Sequence, residues 1–448
     1  MRIREKLLAQ IWERQLIIKD ALLTVDGKEV QVIYSGRENN DSGPDYCDAL
    51  ITIGGGMPLK GDVELHVRSH EWRSHGHHRD PGYNGVILHV VMWNDRDETS
   101  LLHSGKTVPI LALYSYLAGS LEELQRAVQI RLPSYEPCHG ALERYGTGAL
   151  AELLDKAGEE RFYFKVEKFR KRLDAEEASQ VIYEGIMRAL GYAKNKESFE
   201  ELARMLPLSV LGEFAEKGDI YTLQALMLGT AGLLPGQRYK KDGSGHFSGR
   251  VELEVGKLER IWESSSIEGG MRKLHWQFFR VRPENFPPRR IVGASYLLSR
   301  YGGNRRLVDI LNLMRQASFR ELRKDLERGL VVTADGYWAS HFDFGLDSRW
   351  NPNLIGLGRA REIIVNILLP FSFAWAEKIT QPWLGEQAMG LYRWYPRLGE
   401  NWITRYIERQ IFGGHPAKLI DSACREQGLI HLYKSFCMEH RCTECPLA

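Results

Sequence analysis

Residues able to hold a divalent cation fall in order near the N-terminus. Asp45 follows Gly43 and Pro44 at the head of the apolar stretch YCDALITI, and Glu64 and His66 stand two apart in DVELHVR. On a strand, side chains two apart share a face. Glu64 and His66 therefore point the same way, and Asp45, opening the adjacent strand, projects toward the same spot. Two carboxylates and an imidazole at one sheet edge are a ligand set for Mg2+ or Mn2+. Such an ion lowers the pKa of a bound water and polarises a phosphoryl oxygen. Asp45 and Glu64 are the metal ligands in this reading, and His66 is a third ligand or the general base. The competing reading makes Gly43-Pro44-Asp45 a turn closed by an Asx hydrogen bond. It pairs Glu64 with Arg68 or Lys60 on a solvated strand face. The alternation of Asp62, Glu64 and His66 with Val63, Leu65 and Val67 favours the site.

Seven of the 14 histidines lie between residues 66 and 103: His66, His70, His75, His77, His78, His89 and His103. Histidine is the commonest transition-metal ligand and titrates near neutrality. His75 and His77 either join His66 and the carboxylates around Mn2+, Fe2+ or Zn2+, or bind substrate phosphates and act as general acid and base. The plainer alternative lets each satisfy backbone groups in a long polar loop, with His89 a packed strand residue.

Of the six cysteines, four fall in the last 25 residues: Cys424, Cys437, Cys442 and Cys445, the last followed by Pro446. Such clustering is unlike a disulfide scaffold. Thiolates so close together suit Zn2+ or an iron–sulfur cluster. Cys424 is the natural fourth ligand, and His431 or His440 substitute for it if zinc is bound. The site is read as structural. Cys47 and Cys138 read as ordinary small buried residues.

Two basic stretches stand out. RFYFKVEKFRKR (161–172) carries six Lys/Arg against one Glu and reads as an amphipathic helix with a solvated basic face. Seven arginines lie from Arg280 to Arg306, with Arg282, Arg289 and Arg290 in the proline-rich RPENFPPRR. With Trp276, Phe278, Phe279 and Phe286 nearby, and paired arginines on a turn in RPENFPPRR, they suit either a surface that tracks a phosphate backbone and stacks on bases or an amphipathic helix with a solvated basic face and aromatic core residues.

The elements that must position these groups follow from periodicity. Residues 4–18 carry an apolar helical stripe. Strands are expected at 29–35, 46–53, 62–68, 85–93 and 107–114, with GGGMPLKG (54–61) as a hairpin loop and 69–85 as an ordered polar loop. GVILHVVMW is nearly all apolar, as a central strand buried on both faces should be. Gly43 and Gly61 are expected to permit tight turns beside the site. From about residue 120 the pattern is mostly helical, over 148–173, 178–192, 197–216, 219–231, 252–263, 288–301, 306–317, 357–378 and 401–412, with short strands only near 328–333. NPNLIGLGRAREIIVN (351–366) reads as a helix start with packing glycines and lacks a clear preceding strand. The fold class is an α/β domain over residues 1–120, followed by a mostly helical region over 121–448 that ends in the cysteine site.

Pro44-Asp45 followed by Glu64-x-His66, on hairpin strands with an apolar strand after them, resembles the PD-(D/E)xK nuclease superfamily over roughly the first hundred residues. The resemblance implies a restriction-endonuclease-like mixed sheet, a glutamate on a preceding helix (Glu5 or Glu13) and a metal-dependent cut of nucleic acid. His66 stands where that family has lysine, which makes Arg68 or Lys60 candidates for the missing cation. The histidine loop stands where the family has a helix. The Cys-Pro ending is similar in style to the iron–sulfur sites of some DNA-repair glycosylases and PD-(D/E)xK nucleases. Over nearly its full length the chain also resembles an uncharacterised bacterial family. SGRENNDSGPDYCDALI, GDVELHVRSHEWRSHGHHRDPGYNGVILHVV, RPENFPPRR and CMEHRCTECP carry that resemblance, which supplies no activity.

The 448 residues carry 60 Lys+Arg against 58 Asp+Glu, with 43% hydrophobic and 26% charged residues. This balance excludes a disordered, collagenous or coiled-coil chain and a uniformly basic binder. The charged start is not a secretory signal. IIVNILLPFSFAW (363–375) is too short to span a bilayer and reads as a buried helix. A cytoplasmic protein without a membrane partner is expected. The leading expectation is a metal-dependent nuclease acting on DNA or RNA. The alternatives are a His-rich metal-dependent enzyme of small molecules and a non-catalytic nucleic-acid-binding module with a decayed nuclease site.

Overall fold

The structure is a computed structural model and describes residues 5–18, 22–39, 43–95, 97–129, 137–238, 249–265, 267, 276–278, 281–301, 311, 314–315, 318–348, 350–412, 419–439 and 441–448. Arg280, Arg305, Arg306, Phe279, His440 and most of the helix expected over 306–317 lie outside the described residues. The chain divides into two compact units, residues 1–134 and 135–448.

The first unit is built on a seven-stranded mixed sheet. Its strands are β1 (Val30–Tyr34), β2 (Arg37–Glu38), β3 (Tyr46–Ile53), β4 (Leu59–Arg68), β5 (Val86–Trp93), β6 (Thr99–Leu101) and β7 (Thr107–Ala112). The spatial order is β1-β3-β4-β5-β7-β6, with β2 paired to β3. β3 and β4 are an antiparallel hairpin, whose connection takes Gly54 and Gly55 at φ +67° and +69°. β4 and β5 run parallel, as do β5 and β7. A parallel pair cannot be closed by a tight turn, so residues 69–85 must cross over one face of the sheet.

β4 starts at Leu59 rather than Asp62, because Leu59, Lys60 and Gly61 still pair with Ile51, Leu50 and Ala49. Gly61 is thus no turn residue. A Cβ there would meet Ile87 Cγ2 at 2.3 Å and the Gly85 carbonyl oxygen at 2.9 Å, so glycine is needed for the close approach of β5. Gly43, at φ +111°, does take a conformation that favours glycine.

Helix α1 (Glu5–Glu13) lays Leu8, Ile11 and Trp12 into a core with Val63, Leu65, Leu88, Val90 and Met92. Alternation then turns Glu64, His66 and His89 to the opposite face, under the crossover. That face is not solvated, since Glu64 is 4% and His66 1% exposed. Helix α2 (Glu71–Ser74) and two short 3-10 turns, His77–Arg79 and Pro81–Tyr83, make up the crossover. Helix α3 (Leu121–Gln129) belongs to this unit too, with Leu124 in its core, so the boundary falls beyond residue 120.

The second unit is mostly helical. Its longest helical run among the described residues, α4 (Ala141–Leu173), is broken at Gly146, which takes φ +74°. The helix expected over 178–192 spans Ala178–Leu190. The one expected over 197–216 is two, Lys196–Met205 and Leu208–Glu216, split at Pro207, which has no N–H to continue the first. The 357–378 run is helical throughout and widens to a π-helical turn at Ile364–Leu368. A short strand, Asn353–Ile355, does precede it. Helices at Phe319–Leu330, Pro382–Trp394 and Ala423–Leu432 were not expected, and the strand expected near 328–333 shrinks to Val332–Thr333. Among the described residues no helix is long and apolar enough to cross a membrane.

Candidate metal centre

The parallel register sets Glu64 beside His89 and His66 beside Val91. From above, the crossover brings His75 and His77 down. Gly76, between them at φ +80°, reverses the chain locally so that both rings reach the same place. Ring nitrogens of His66, His75 and His77 lie within 4.8 Å of one another, and among the described residues they are the group placed to hold a metal ion. His66 Nε2 is 3.1 Å from His75 Nδ1. Glu64 Oε1 stands 3.2 Å from His77 Nε2 and 3.7 Å from His66 Nε2.

These spacings fit a cation. Ligands about 2.1 Å from a metal and 90–109° apart are separated by roughly 3.0–3.4 Å. A second observation agrees. His77 Nε2 is buried and makes no hydrogen bond, although Glu64 is close, because the contact is poorly aligned. Buried polar atoms are ordinarily satisfied, and a metal would take up this lone pair.

The surroundings favour the neutral form of His66, His77 and His89. Desolvation pushes His66 down to about 2 and His89 down to about 3, with neighbouring histidines adding to both shifts. Burial also lowers His77. Neutral imidazole is the form that binds metal. Burial drives both carboxyls upward, with Glu64 adding to the rise at Asp45. The two are linked, since the Asp45 backbone N–H donates to Glu64 Oε2 at 2.9 Å and the Leu65 N–H donates to Asp45 Oδ2 at 3.0 Å. Glu5 of α1 raises both carboxyls through its charge, whereas Glu13 is coupled to Glu38. Of the two candidate helix acids, Glu5 is the one whose charge reaches these carboxyls.

Behind His66 runs a chain the sequence did not reveal. His66 Nδ1 is 3.0 Å from His89 Nε2, and His89 Nδ1 is 2.7 Å from Ser100 Oγ. With His66 Nε2 turned to the metal position, its Nδ1–H donates to His89, and His89 Nδ1–H donates to Ser100. Such outer hydrogen bonds fix the tautomer of a metal-binding histidine. The only signal was a histidine inside an otherwise apolar central strand. Aromatic rings wall the site. Tyr83 lies 3.9 Å from the His77 ring centroid, and Trp72 lies 5.4 Å from His77 and 5.0 Å from His89.

Glu64, His66, His75 and His77 thus come together, with Asp45 tied to Glu64 through its backbone N–H, and other expected groups do not join them. Lys60 and Arg68 supply no cation here, being paired with Asp48 at 3.5 Å and Asp95 at 2.7 Å. Arg289 and Arg290 are 0% and 5% exposed and do not face a polyanion. Arg289 donates to the carbonyls of Trp338, His341 and Asn351, and Arg290 to the Leu354 carbonyl and Asn285 Oδ1. They fasten the 338–354 segment to their helix. Arg282 remains exposed. Cys424 is a buried thiol. It is 1% exposed, its Sγ donates to the Asp155 carbonyl at 3.4 Å, and burial pushes its thiol up to about 12. His431 faces Glu160 at 3.3 Å. Cys437 and Cys445 pack partly buried against the core formed with α4.

No curated protein and no solved structure matches this chain. A family does match: from residue 5 to residue 398, a span that takes in the histidine centre and RPENFPPRR but stops short of the terminal cysteines, the chain belongs to DUF2851, proteins of unknown function.

Proposed function

We propose that the first unit is a metal-dependent phosphodiesterase acting on nucleic acid, with His66, His75 and His77 as metal ligands and Glu64 and Asp45 beside them. The observation that carries this reading is the approach of Glu64 Oε1 to the ring nitrogens of the two buried histidines, His66 and His77, of the group. Three imidazoles favour Zn2+, Mn2+ or Fe2+ over Mg2+. A divalent ion held there lowers the pKa of a bound water and polarises a phosphoryl oxygen. The protein's own part is to hold the buried His66 and His77 rings unprotonated, fix the His66 tautomer through His89, and keep bulk water out with Trp72 and Tyr83. His75, exposed where His66 and His77 are buried, marks the side from which substrate enters. The order of Asp45, Glu64 and His66, with an acid on α1, agrees with the nuclease-like arrangement.

The test is cleavage of labelled single- and double-stranded DNA and RNA with Mn2+ or Zn2+, beside Glu64→Gln and His66→Ala. Cleavage lost in both variants supports the reading, and cleavage retained in both removes it. A second reading, metal-dependent chemistry on a small molecule, is favoured by the depth of the site and by the inward turn of Arg289 and Arg290. Metal binding without nucleic-acid binding or cleavage would select it.

A further inference from the structure

The basic segment 161–172 does present Lys168, Arg170 and Lys171 to solvent, as an amphipathic helix should. Arg161 and Lys165 depart from that pattern. They lie one turn apart on α4 and reach the Ala423–Leu432 helix, where both meet Gln427. Arg161 Nε donates to Gln427 Oε1 at 2.8 Å, and Lys165 Nζ donates to the same oxygen at 2.9 Å. Lys165 Nζ also donates to Asn366 Oδ1 at 2.6 Å. Gln427 is 2% exposed. Two cations therefore converge on one buried, neutral oxygen.

A third cation acts on them through its field. The charge on Lys434 lowers the Lys165 pKa, and that on Arg161 lowers the Lys434 pKa, in each case after desolvation. Among the described residues, Arg161, Lys165 and Lys434 form no ion pair with a carboxylate. Glu362 acts on Arg161 and Lys165 only through its field, and its own oxygen takes a hydrogen bond from Asn366 Nδ2 at 2.7 Å. Two of the facing helices widen to π-helical turns at this place, Ile364–Leu368 around Asn366 and Tyr433–Cys437 around Lys434. Such turns recur at functional sites. Gathering like charges away from water is costly unless an anion joins them.

We propose that Arg161, Lys165 and Lys434 form a binding site for a phosphate group in the second unit, framed by Asn366 and Gln427. A point-charge ammonium beside a guanidinium fork suits phosphate oxygens. Three cations against one carboxylate favour a dianion. Lys434, exposed at the rim, marks the entrance.

The test is thermal unfolding and calorimetric titration of the full chain with inorganic phosphate and, separately, a nucleoside 5′-monophosphate, against chloride of equal ionic strength. A saturable rise in Tm with at least one of them is expected. Preference for the monophosphate would assign an esterified phosphate, and preference for inorganic phosphate a free one. Lys165→Met is expected to weaken binding about tenfold or more, the effect of losing one charge-assisted hydrogen bond. Gln427→Glu, which keeps the shape and supplies the negative charge from within, is expected to raise Tm without phosphate and to abolish the response. It also guards against a folding defect in Lys165→Met. No response of the wild type to either ligand, or an undiminished response in Gln427→Glu, would overturn the proposal.

Discussion

Glu426 shows how burial of one side chain sets a pH dependence. It is 1% exposed, and desolvation raises its pKa to about 7, against the opposing hydrogen bonds donated by the Leu398 and Gly399 backbone N–H groups. A carboxyl whose folded pKa lies above its unfolded value of 4.5 favours folding while protonated. That contribution is complete below 4.5 and is lost as pH rises through 7. Its full size is about 3 kcal/mol. Glu426→Gln should therefore be more stable than wild type at pH 8 and converge with it near pH 5, as read by urea unfolding. Parallel stabilities across that range would contradict the assignment. The inward arginines supply a second contrast. Arg289→Ala leaves several carbonyls without their donor and is expected to cost about 3 kcal/mol or more. Exposed Arg282→Ala should stay within about 0.5 kcal/mol of wild type. Equal effects of the two would show that Arg289 does not fasten the segment beneath it.

The β4–β5 pair is the element on which the centre depends. Gly61→Ala drives a methyl into Ile87 and should cost roughly 1–3 kcal/mol, while spreading the strands that carry Glu64 and His89. Adding Ile87→Ala should recover part of that loss beyond simple additivity, as a double-mutant cycle would show. A strictly additive pair would mean that the two side chains do not meet. Alternation made these strands legible in the sequence, with β3 found at its observed bounds, and it set Glu64 and His66 on one face. It left hidden which way that face looked, because a polar stripe reads the same against solvent or beneath a crossover. RPENFPPRR misled for a related reason, since paired arginines on a turn look alike whether they meet phosphate or backbone carbonyls. The relay through His89 to Ser100 joins residues on different strands. It exists only once the parallel register is formed.

At the scale of the molecule, the two units divide the chemistry. The first has its own core, with α1 and α3 contributing to it, and the metal centre draws all its donors from that unit. A chain ending at residue 134 is therefore expected to keep its sheet by circular dichroism and to bind metal with the stoichiometry of the full protein. A fragment that folds without binding would show that the centre needs the second unit. The net charge of +2 leaves no general attraction to polyanions, so any nucleic-acid affinity must be local.

Calorimetric titration of the metal-free full chain with Zn2+ and Mn2+ tests the histidine metal centre, with His66→Ala, His77→Ala and Glu64→Gln measured alongside and folding checked by circular dichroism. One ion bound at this centre in the wild type, loss of that binding in both histidine variants, and weakened binding in Glu64→Gln are expected. A folded wild type that takes up neither ion, or folded histidine variants that bind as the wild type does, would contradict the metal centre.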